Sequence, residues 1–586
     1  MRIPATHRAF DTYEKTLADY HARHATNEGA VRFAFQTLLN TFLPSGWALL
    51  GEQTLPGSIR PDGVVKDRYN LTRGLWEAKD TSDTLEDEIR KKIKKGYPLT
   101  NIIFEDTRRA VLYQNRQRAM AIDLHDRAQL AVLLGEFFGY EEPDIAAFGK
   151  AVDEFKGIIP EIAQGLQEII TGERGKNLTF TAAFDAFRTL CRGSIDPRIS
   201  DAELDEMLIQ HLLTERLFRT IFNNPEFTRR NVIAAEIERV ITALTSKAFS
   251  RADFLQRLDR YYRPIEEAAR GITEWGEKQA FLNTVYERFF QGYSVRQADT
   301  YGIVYTPQEI VDFMCNSVAE VLQSEFGTSL DDEGVVILDP ATGTGNFIVN
   351  LLRRIGPQAI QRKYRSELFA NEIMLLPYYI ASMNIEHAYY ERTESYEPFD
   401  GLCFADTLDM AQSPQMGLFS EANTARVQAE KDAPVTVVIG NPPYNVGQRN
   451  ENDNNKNRRY DVVDKRIRET YAKDSKASNR NALSDAYVKF FRWASDRLGE
   501  RDGIVCYVSN NGFIDGIASD GFRKHLLRDF TRIYHLDLGG NARKGKGGNV
   551  FGIMVGVGIT IAIRNKAHEG REIKYLRVSD DLVAPQ

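Results

Sequence analysis

The chain of 586 residues is 42% hydrophobic, 11% aromatic and 27% charged, proportions that exclude disordered and fibrous classes. Its 75 Lys+Arg and 82 Asp+Glu leave a formal net charge of -7, which disfavours a non-specific nucleic-acid coat while allowing local basic grooves. Four scattered cysteines, Cys191, Cys315, Cys403 and Cys506, make no CxxC pair, so neither a zinc ribbon nor a disulfide framework is expected. The opening MRIPATHRAFDTYEK lacks the apolar core of a signal peptide, and no run reaches the ~18 apolar residues of a membrane span. A cytoplasmic protein without a membrane partner is expected.

At ~150 residues per domain the length suggests roughly three or four domains. The first region, residues 1–115, opens with a helical segment (EGAVRFAFQTLLNTF, from Glu28) and continues in strand-like runs, RPDGVV, RGLWEAK and NIIFED. The polar turn KDRYNLT between the first two runs predicts a hairpin. Residues 116–292 read as almost wholly helical, with apolar residues at three- and four-residue spacing in LDEMLIQHLLTERLFRTIF and RRNVIAAEIERVITALTSKAF. Residues 293–586 alternate strands and helices as an α/β domain does, with VVILDP, LFANEI, VTVVIG, GIVCYVS and IYHLDL as strands. No internal repeat or low-complexity segment interrupts this order.

The stretch VVILDPATGTGNFIVNLLRR carries the first chemical signal. A β-rich run ends at Asp339, glycines follow at Gly343 and Gly345, and a helix begins near Phe347. Such a turn offers backbone N–H groups to a nucleotide-like ligand at the carboxyl edge of a sheet. Neither GxGxxG nor GxxxxGKS/T occurs, which disfavours NAD and ATP. Alone, the turn reads equally well as an ordinary βα connection. Glu372, ending the next strand, could take ribose hydroxyls, and Asp406 in CFADTL could accept from an exocyclic amine. Each acid taken singly reads better as a helix cap or a solvated turn.

VTVVIG then runs directly into Asn441-Pro442-Pro443-Tyr444. DPATGTGNF followed by NPPY resembles the S-adenosylmethionine-dependent DNA adenine-N6 methyltransferases. The resemblance implies that Asp339, Pro340, Ala341, Gly343, Gly345 and Phe347 line the methionine end of the cofactor, that Glu372 takes the ribose, and that Asp406 takes the adenine. Tyr305, Thr306 and Pro307, in YGIVYTPQEIVDFM, match the segment that precedes the glycine turn in the amino-methyltransferases and helps hold the cofactor. An adenine amine is a poor nucleophile because its lone pair is delocalised into the ring. The Asn441 side-chain oxygen and the Pro442 carbonyl can accept both N6 hydrogens, and the prolines fix the carbonyl direction. Tyr444 offers a face to a base swung out of the duplex, a contact worth ~1–3 kcal/mol in stacking systems. Methyltransferases of glutamine amides and of rRNA guanine use similar tetrapeptides. The YTP segment, the polar insertion after NPPY and the tail SNNGFIDGIASDGFRKHLL favour DNA adenine. From about Leu212 to Arg577 the chain resembles the methyltransferase half and coupling region of single-chain type ISP restriction–modification enzymes. The basic clusters KNRRY (Lys456 to Tyr460) and NARKGKGGN (Asn541 to Asn549) lie within it and suit phosphate contacts, or equally solvated loops.

SIRPDGVVKDRYNLTRGLWEAKD resembles the core of a PD-(D/E)xK nuclease. Strand alternation puts Glu77 and Lys79 on one face. The resemblance implies that Asp62 joins Glu77 around Mg²⁺, with Glu28 as a further ligand, and that Lys79 orients or deprotonates the attacking water. The following helix carries Arg90, Lys91, Lys92, Lys94 and Lys95, suited to phosphate contacts or to a solvated basic face.

The expected fold is thus α/β: an N-terminal PD-(D/E)xK nuclease-like domain (1–115), a helical connector (116–292) and a C-terminal Rossmann-like methyltransferase (293–586). Type ISP enzymes carry a helicase motor, but no Walker A sequence occurs here, so the layout resembles type IIG/IIL enzymes instead. Those families follow the methyltransferase with a target-recognition domain, whereas this chain ends at KYLRVSDDLVAPQ. A separate recognition subunit or a truncated product is therefore expected, with double-stranded DNA as partner and a second copy for double-strand cleavage. The expected activity is N6-adenine methylation with S-adenosylmethionine plus Mg²⁺-dependent cleavage of unmodified DNA. The alternatives are a non-cleaving N-terminal DNA-binding module and a non-catalytic DNA-binding remnant.

Overall fold

The computed structural model describes residues 3–22, 28–51, 53, 59–67, 72–79, 84–114, 117–140, 143–194, 199–221, 230–245, 250–251, 254, 256, 258–270, 281, 306–410, 421–444, 459–539 and 555–578. Two compact units divide the chain: Met1–Ile158 with Gln256–Phe289, and Ile159–Leu255 with Phe290–Gln586.

The first unit holds six strands in sequential order: β1 (Ala48–Gly51), β2 (Gly63–Lys66), β3 (Thr72–Ala78), β4 (Asn101–Glu105), β5 (Arg109–Gln114) and β6 (Gln117–Asp123). β2 and β3 form the expected antiparallel hairpin, and β3 and β4 run parallel. A parallel neighbour needs a crossover, which the helix Leu85–Lys94 supplies. Strand alternation sorts the core into two faces. Val65, Trp76, Ile103 and Leu112 pack with Phe35, Leu38, Leu130 and Leu134 from helices, while Val64, Leu75, Ile102 and Val111 pack with Leu85 and Ile89.

The boundary expected at residue 115 falls inside the β5–β6 hairpin. β6 pairs antiparallel with β5, and the helix Arg127–Gly139 buries Leu130, Leu133, Leu134 and Phe137 in the same core. β6 is an edge strand, mostly exposed on both faces, so its sequence QRAMAID shows little of the alternation that marks a half-buried strand.

The second unit carries eight strands: β7 (Ile337–Asp339), β8 (Leu368–Glu372), β9 (Leu402–Phe404), β10 (Val437–Gly440), β11 (Gly503–Asn510), β12 (Arg532–Asp537), β13 (Val557–Arg564) and β14 (Glu572–Arg577), in the spatial order β14-β12-β13-β11-β10-β7-β8-β9. β9, β8, β7, β10 and β11 are parallel, and β13 runs antiparallel between β11 and β12. All five strands expected from the sequence are present. Chain order runs outward from β7 through β8 to β9, then resumes on the other side of β7 with β10. In an open α/β sheet the crevice at such a reversal, at the carboxyl ends of the strands, is where ligands bind. The helices Leu178–Ser194, Asp201–Ile221 and Val232–Thr245 belong to this unit, where His211 meets Tyr379 of the helix Leu375–Thr393 at 2.9 Å. No helix among the described residues is long and apolar enough to cross a membrane.

Candidate active sites

The crevice between β7 and β10 gathers most of the C-terminal candidates. β7 ends at Asp339, whose fully buried carboxylate accepts from the Ala341 N–H at 3.2 Å and from Thr342 Oγ1 at 3.0 Å. Gly343 and Gly345 take φ of +57° and +88°, a region open to glycine at little cost. At Gly345 a Cβ would stand 3.2 Å from the Ala381 Cα, so the missing side chain also lets the turn lie against the helix Leu375–Thr393. Asn384 of that helix donates to the Thr344 carbonyl at 2.9 Å, and the helix Asn346–Arg354 starts immediately after the turn with Phe347 buried. Pro340 accepts from Thr407 Oγ1 at 2.6 Å, joining the turn to the end of β9.

Glu372 closes β8 beside this turn. One of its oxygens accepts from the Gly343 N–H at 2.9 Å and the other from the Met374 N–H at 2.7 Å. Burial pushes the Glu372 carboxyl up to about 8 against the pull of those N–H groups, and burial likewise raises Asp339 to about 7. Asp406, after β9, caps the short helix Thr407–Met410 by accepting from the Leu408 N–H at 2.9 Å, and its second oxygen accepts from Tyr460 Oη at 3.0 Å. The cap role expected for an isolated acid is real, and the neighbouring Thr407 ties this end of β9 to Pro340 of the glycine turn.

β10 delivers Asn441. Gly440 is a requirement of the site: a Cβ there would stand 2.7 Å from Asp339 Oδ1, so glycine lets that carboxyl lie across the strand end. Asn441 Nδ2 donates to Thr306 Oγ1 at 3.0 Å, which joins the segment before the glycine turn to the NPPY segment across 135 residues of sequence. With its nitrogen on Thr306, the amide presents its oxygen as the acceptor end. Pro442 is buried and Pro443 partly so. Tyr444 is only 2% exposed and belongs to a core cluster with Val438, Tyr471 and Tyr487. Its stacking face, expected to be open to a base, is covered here, and base stacking requires the ring to leave this packing. Tyr305, the cations Lys456 and Arg458 of the first basic cluster, and the whole of Asn541 to Asn549 lie outside the described residues.

In the other unit, the β2–β3 hairpin brings Asp62 and Glu77 to the sheet face that carries Val64 and Leu75. Asp62 accepts from the Ala78 N–H at 2.8 Å and pairs with Arg32 at 2.9 Å. Burial, then the neighbouring Glu77 charge, raise the Asp62 carboxyl above its ordinary range. Lys79 Nζ lies 3.1 Å from Glu77 Oε1, as same-face alternation requires. Lys92 also pairs with Glu77 Oε1 and donates to Tyr97 Oη at 3.0 Å, while Tyr97 donates to the Arg60 carbonyl at 2.9 Å. Burial would lower the Lys92 ammonium, but the bonds to Glu77 and Tyr97 hold it above its usual value. Lys92 thus turns into the site, whereas Arg90 and Lys91 pair with Asp87 and Glu88 on their own helix. Glu77 Oε2 is buried and accepts no hydrogen bond among the described residues. Glu28 opens the helix Glu28–Phe42, but its side chain lies outside the described residues. No group of three or more His, Cys, Asp or Glu placed to hold a metal occurs among the described residues.

Sequence reasoning passed over Arg32, placed Tyr460 only at the end of the KNRRY cluster, and read Lys92 as a phosphate contact or part of a solvated basic face. All three act across long sequence separations that no local spacing encodes.

Residues 152–277 match the family model described as the coupler domain of type ISP restriction-modification enzymes, and residues 277–478 match N-6 DNA methylase. Among solved structures, the chain is similar to the DrdV–DNA complex at 42% identity and a TM-score of 0.71, over 97% of this chain and 57% of that one. It is similar to the ATP-dependent type ISP restriction-modification enzyme LlaBIII bound to DNA at 32% identity and a TM-score of 0.68, over 78% of this chain and 31% of that one. A nuclease-deletion mutant of the type ISP enzyme LlaGI, in complex with a DNA substrate mimic, matches at 28% identity and a TM-score of 0.67, over 86% of this chain and 46% of that one. The chain therefore spans 57% of the first of these structures and less than half of the other two. No curated protein matches it.

Proposed function

Because the chain joins a region matching the type ISP coupler domain to one matching N-6 DNA methylase, and is similar to type ISP structures, we propose that it transfers a methyl group from S-adenosylmethionine to adenine N6 in double-stranded DNA. The observation that carries this reading is that β10, which leads into Asn441, lies against β7 where strand order reverses, with Gly440 at the Asp339 carboxyl and Asn441 bonded to Thr306. The second unit is then a Rossmann-like methyltransferase domain. Its residues fit the cofactor: a glycine turn with backbone approach, and two buried carboxyls, Asp339 and Glu372, suited to polar and cationic groups. S-adenosylmethionine, when bound, supplies the methyl group. Glu372 accepts from the ribose and Asp406 from the adenine amine, while the Asn441 oxygen and the Pro442 carbonyl accept the hydrogens of the target N6. Those two acceptors hold the target nitrogen in a near-attack geometry. DNA as the partner is supported by the DNA-bound state of the similar structures.

We further read the first unit as a PD-(D/E)xK nuclease that cuts unmodified DNA. The buried Glu77 Oε2 suits a hard divalent cation such as Mg²⁺, which commonly binds through one or two carboxylates plus phosphate and water. A divalent ion, when bound, would offset charge on the scissile phosphate. Asp62 and Glu77 would hold it, and Lys79 would orient or deprotonate the attacking water.

The test is transfer of a labelled methyl group to mixed genomic DNA by wild type and Asn441→Ala. Label on adenine N6 that the variant loses supports the reading, and label found only on protein refutes it. Asp62→Ala and Lys79→Ala should abolish Mg²⁺-dependent cleavage while leaving methylation intact. Cleavage that survives both substitutions refutes the nuclease assignment.

A further inference from the structure

Tyr460 lies 16 residues beyond Tyr444 in sequence, yet its hydroxyl donates to Asp406 Oδ2 at 3.0 Å, a separation of 54 residues. Its position is fixed from two sides. The Tyr460 N–H donates to Asp464 Oδ2 at 2.9 Å and its carbonyl accepts from the Asp464 N–H at 2.7 Å, anchoring it to the start of the helix Asp461–Ile467. Lys489, a nearly buried cation on the helix Ala486–Leu498, pairs with Asp464 Oδ1 at 2.9 Å and stands 5.2 Å from the Tyr460 ring centroid. The phenol is thus held in place through Asp464 and Lys489.

Asp406 is held at both ends. Its Oδ1 accepts from the N–H groups of Leu408 at 2.9 Å and Asp409 at 3.4 Å, and Tyr460 holds Oδ2. A carboxylate has about four acceptor sites, so a phenol and an aromatic amine can share one oxygen. Fixing both oxygens sets the carboxylate plane, and the plane decides where its acceptor directions point.

We propose that Tyr460 is a positioning residue of the cofactor site: its hydroxyl orients the Asp406 carboxylate so that Oδ2 accepts the exocyclic amine of the adenosyl group. This rests on the reading of Asp406 as the adenine acceptor. It gives the site a means of favouring an adenosyl ligand over one whose base carries a carbonyl at the same position, because a carbonyl facing a fixed carboxylate meets acceptor with acceptor.

The experiment is calorimetric binding of S-adenosylhomocysteine and S-inosylhomocysteine to wild type, Tyr460→Phe and Asp406→Asn. Phenylalanine keeps the ring and both backbone bonds to Asp464, so the fold is retained. Wild type should prefer the adenosyl ligand by about tenfold or more, the scale of a hydrogen bond to a charged acceptor. Tyr460→Phe should weaken adenosyl binding roughly five- to tenfold and inosyl binding by less than about twofold. Equal losses on both ligands overturn the inference, since Tyr460 would then only shape the pocket. Tighter adenosyl binding in Tyr460→Phe also overturns it, by showing that the phenol competes with the base. If wild type does not discriminate between the ligands, or Asp406→Asn binds both as wild type does, the failure lies in the Asp406 reading, and this inference falls with it.

Discussion

Glu372 is a carboxyl whose cost to the fold and use to the ligand can be read separately with one substitution. Burial raises it from 4.5 to about 8, even though Gly343 and Met374 each donate a backbone N–H to it. Between those values the folded protein holds a proton that the unfolded chain has released. The unfolded state binds fewer protons there, so stability falls as pH rises, by at most about 1.4 kcal/mol per pH unit for one group. From pH 5 to pH 8 the loss due to Glu372 is on the order of 3–4 kcal/mol. Glu372→Gln removes this slope. Its amide nitrogen cannot accept, so one of the two backbone N–H bonds is lost, at about 1–3 kcal/mol at every pH. The variant should therefore be the less stable protein at pH 5 and draw level with or pass wild type at pH 8. The assay is urea unfolding at four pH values, following the transition that saturating S-adenosylhomocysteine shifts, which identifies the unit carrying the site. Asp339, raised to about 7, titrates in both proteins, so the difference retains only its charge coupling to Glu372. A stability difference that does not change with pH would refute the raised Glu372 carboxyl. Binding gives a second arm. Ribose hydroxyls donate better to the ionised carboxylate, so ligand affinity in wild type should rise as pH increases toward 8, and the Glu372 share of that rise should vanish in the variant.

Gly345→Ala should cost about 1–3 kcal/mol of unfolding free energy, and more than Gly343→Ala. Both glycines have positive φ, but only Gly345 would drive a Cβ against the Ala381 backbone, whereas the space at Gly343 is open. Equal costs in urea unfolding would show that φ alone sets the penalty. Lys92→Met removes a cation from Glu77 Oε1 and should tighten Mn²⁺ binding, read by calorimetry, roughly three- to tenfold, the scale of a partly screened charge pair. Unchanged metal affinity would mean that Lys92 and the metal do not share Glu77.

Much of this architecture was legible because it is local. The RPDGVV–RGLWEAK hairpin, five strands of the C-terminal sheet and the DPATGTGNF turn are short-range patterns of alternation, turn chemistry and glycine. The strands β1, β5, β6, β9, β13 and β14 were not assigned from the sequence, and for β6 and β13 the physical reason is plain. β6 is an exposed edge strand with little alternation to read, so residues 116–140 looked like the start of a helical region instead of the end of the N-terminal sheet. β13, Val557–Arg564, is buried along nearly its whole length and is a continuous apolar run, which periodicity alone cannot assign to a strand.

By itself the sequence determined which residue types stand at the strand ends: Asp339, Glu372, Asp406 and Asn441 in one unit, Asp62, Glu77 and Lys79 in the other. It could do so because the chemistry of a turn is written in consecutive residues. Only the tertiary structure decided their partners. Asn441 donates to Thr306, Asp406 receives Tyr460, Asp62 meets Arg32, and Glu77 is shared by Lys79 and Lys92. The Tyr444 ring is in the core, not at the crevice surface. Apart from the same-face Glu77–Lys79 pair, these contacts join residues 15 to 135 positions apart, or depend on which side chains burial excludes from water, and helix and strand periodicities reach only across neighbouring turns.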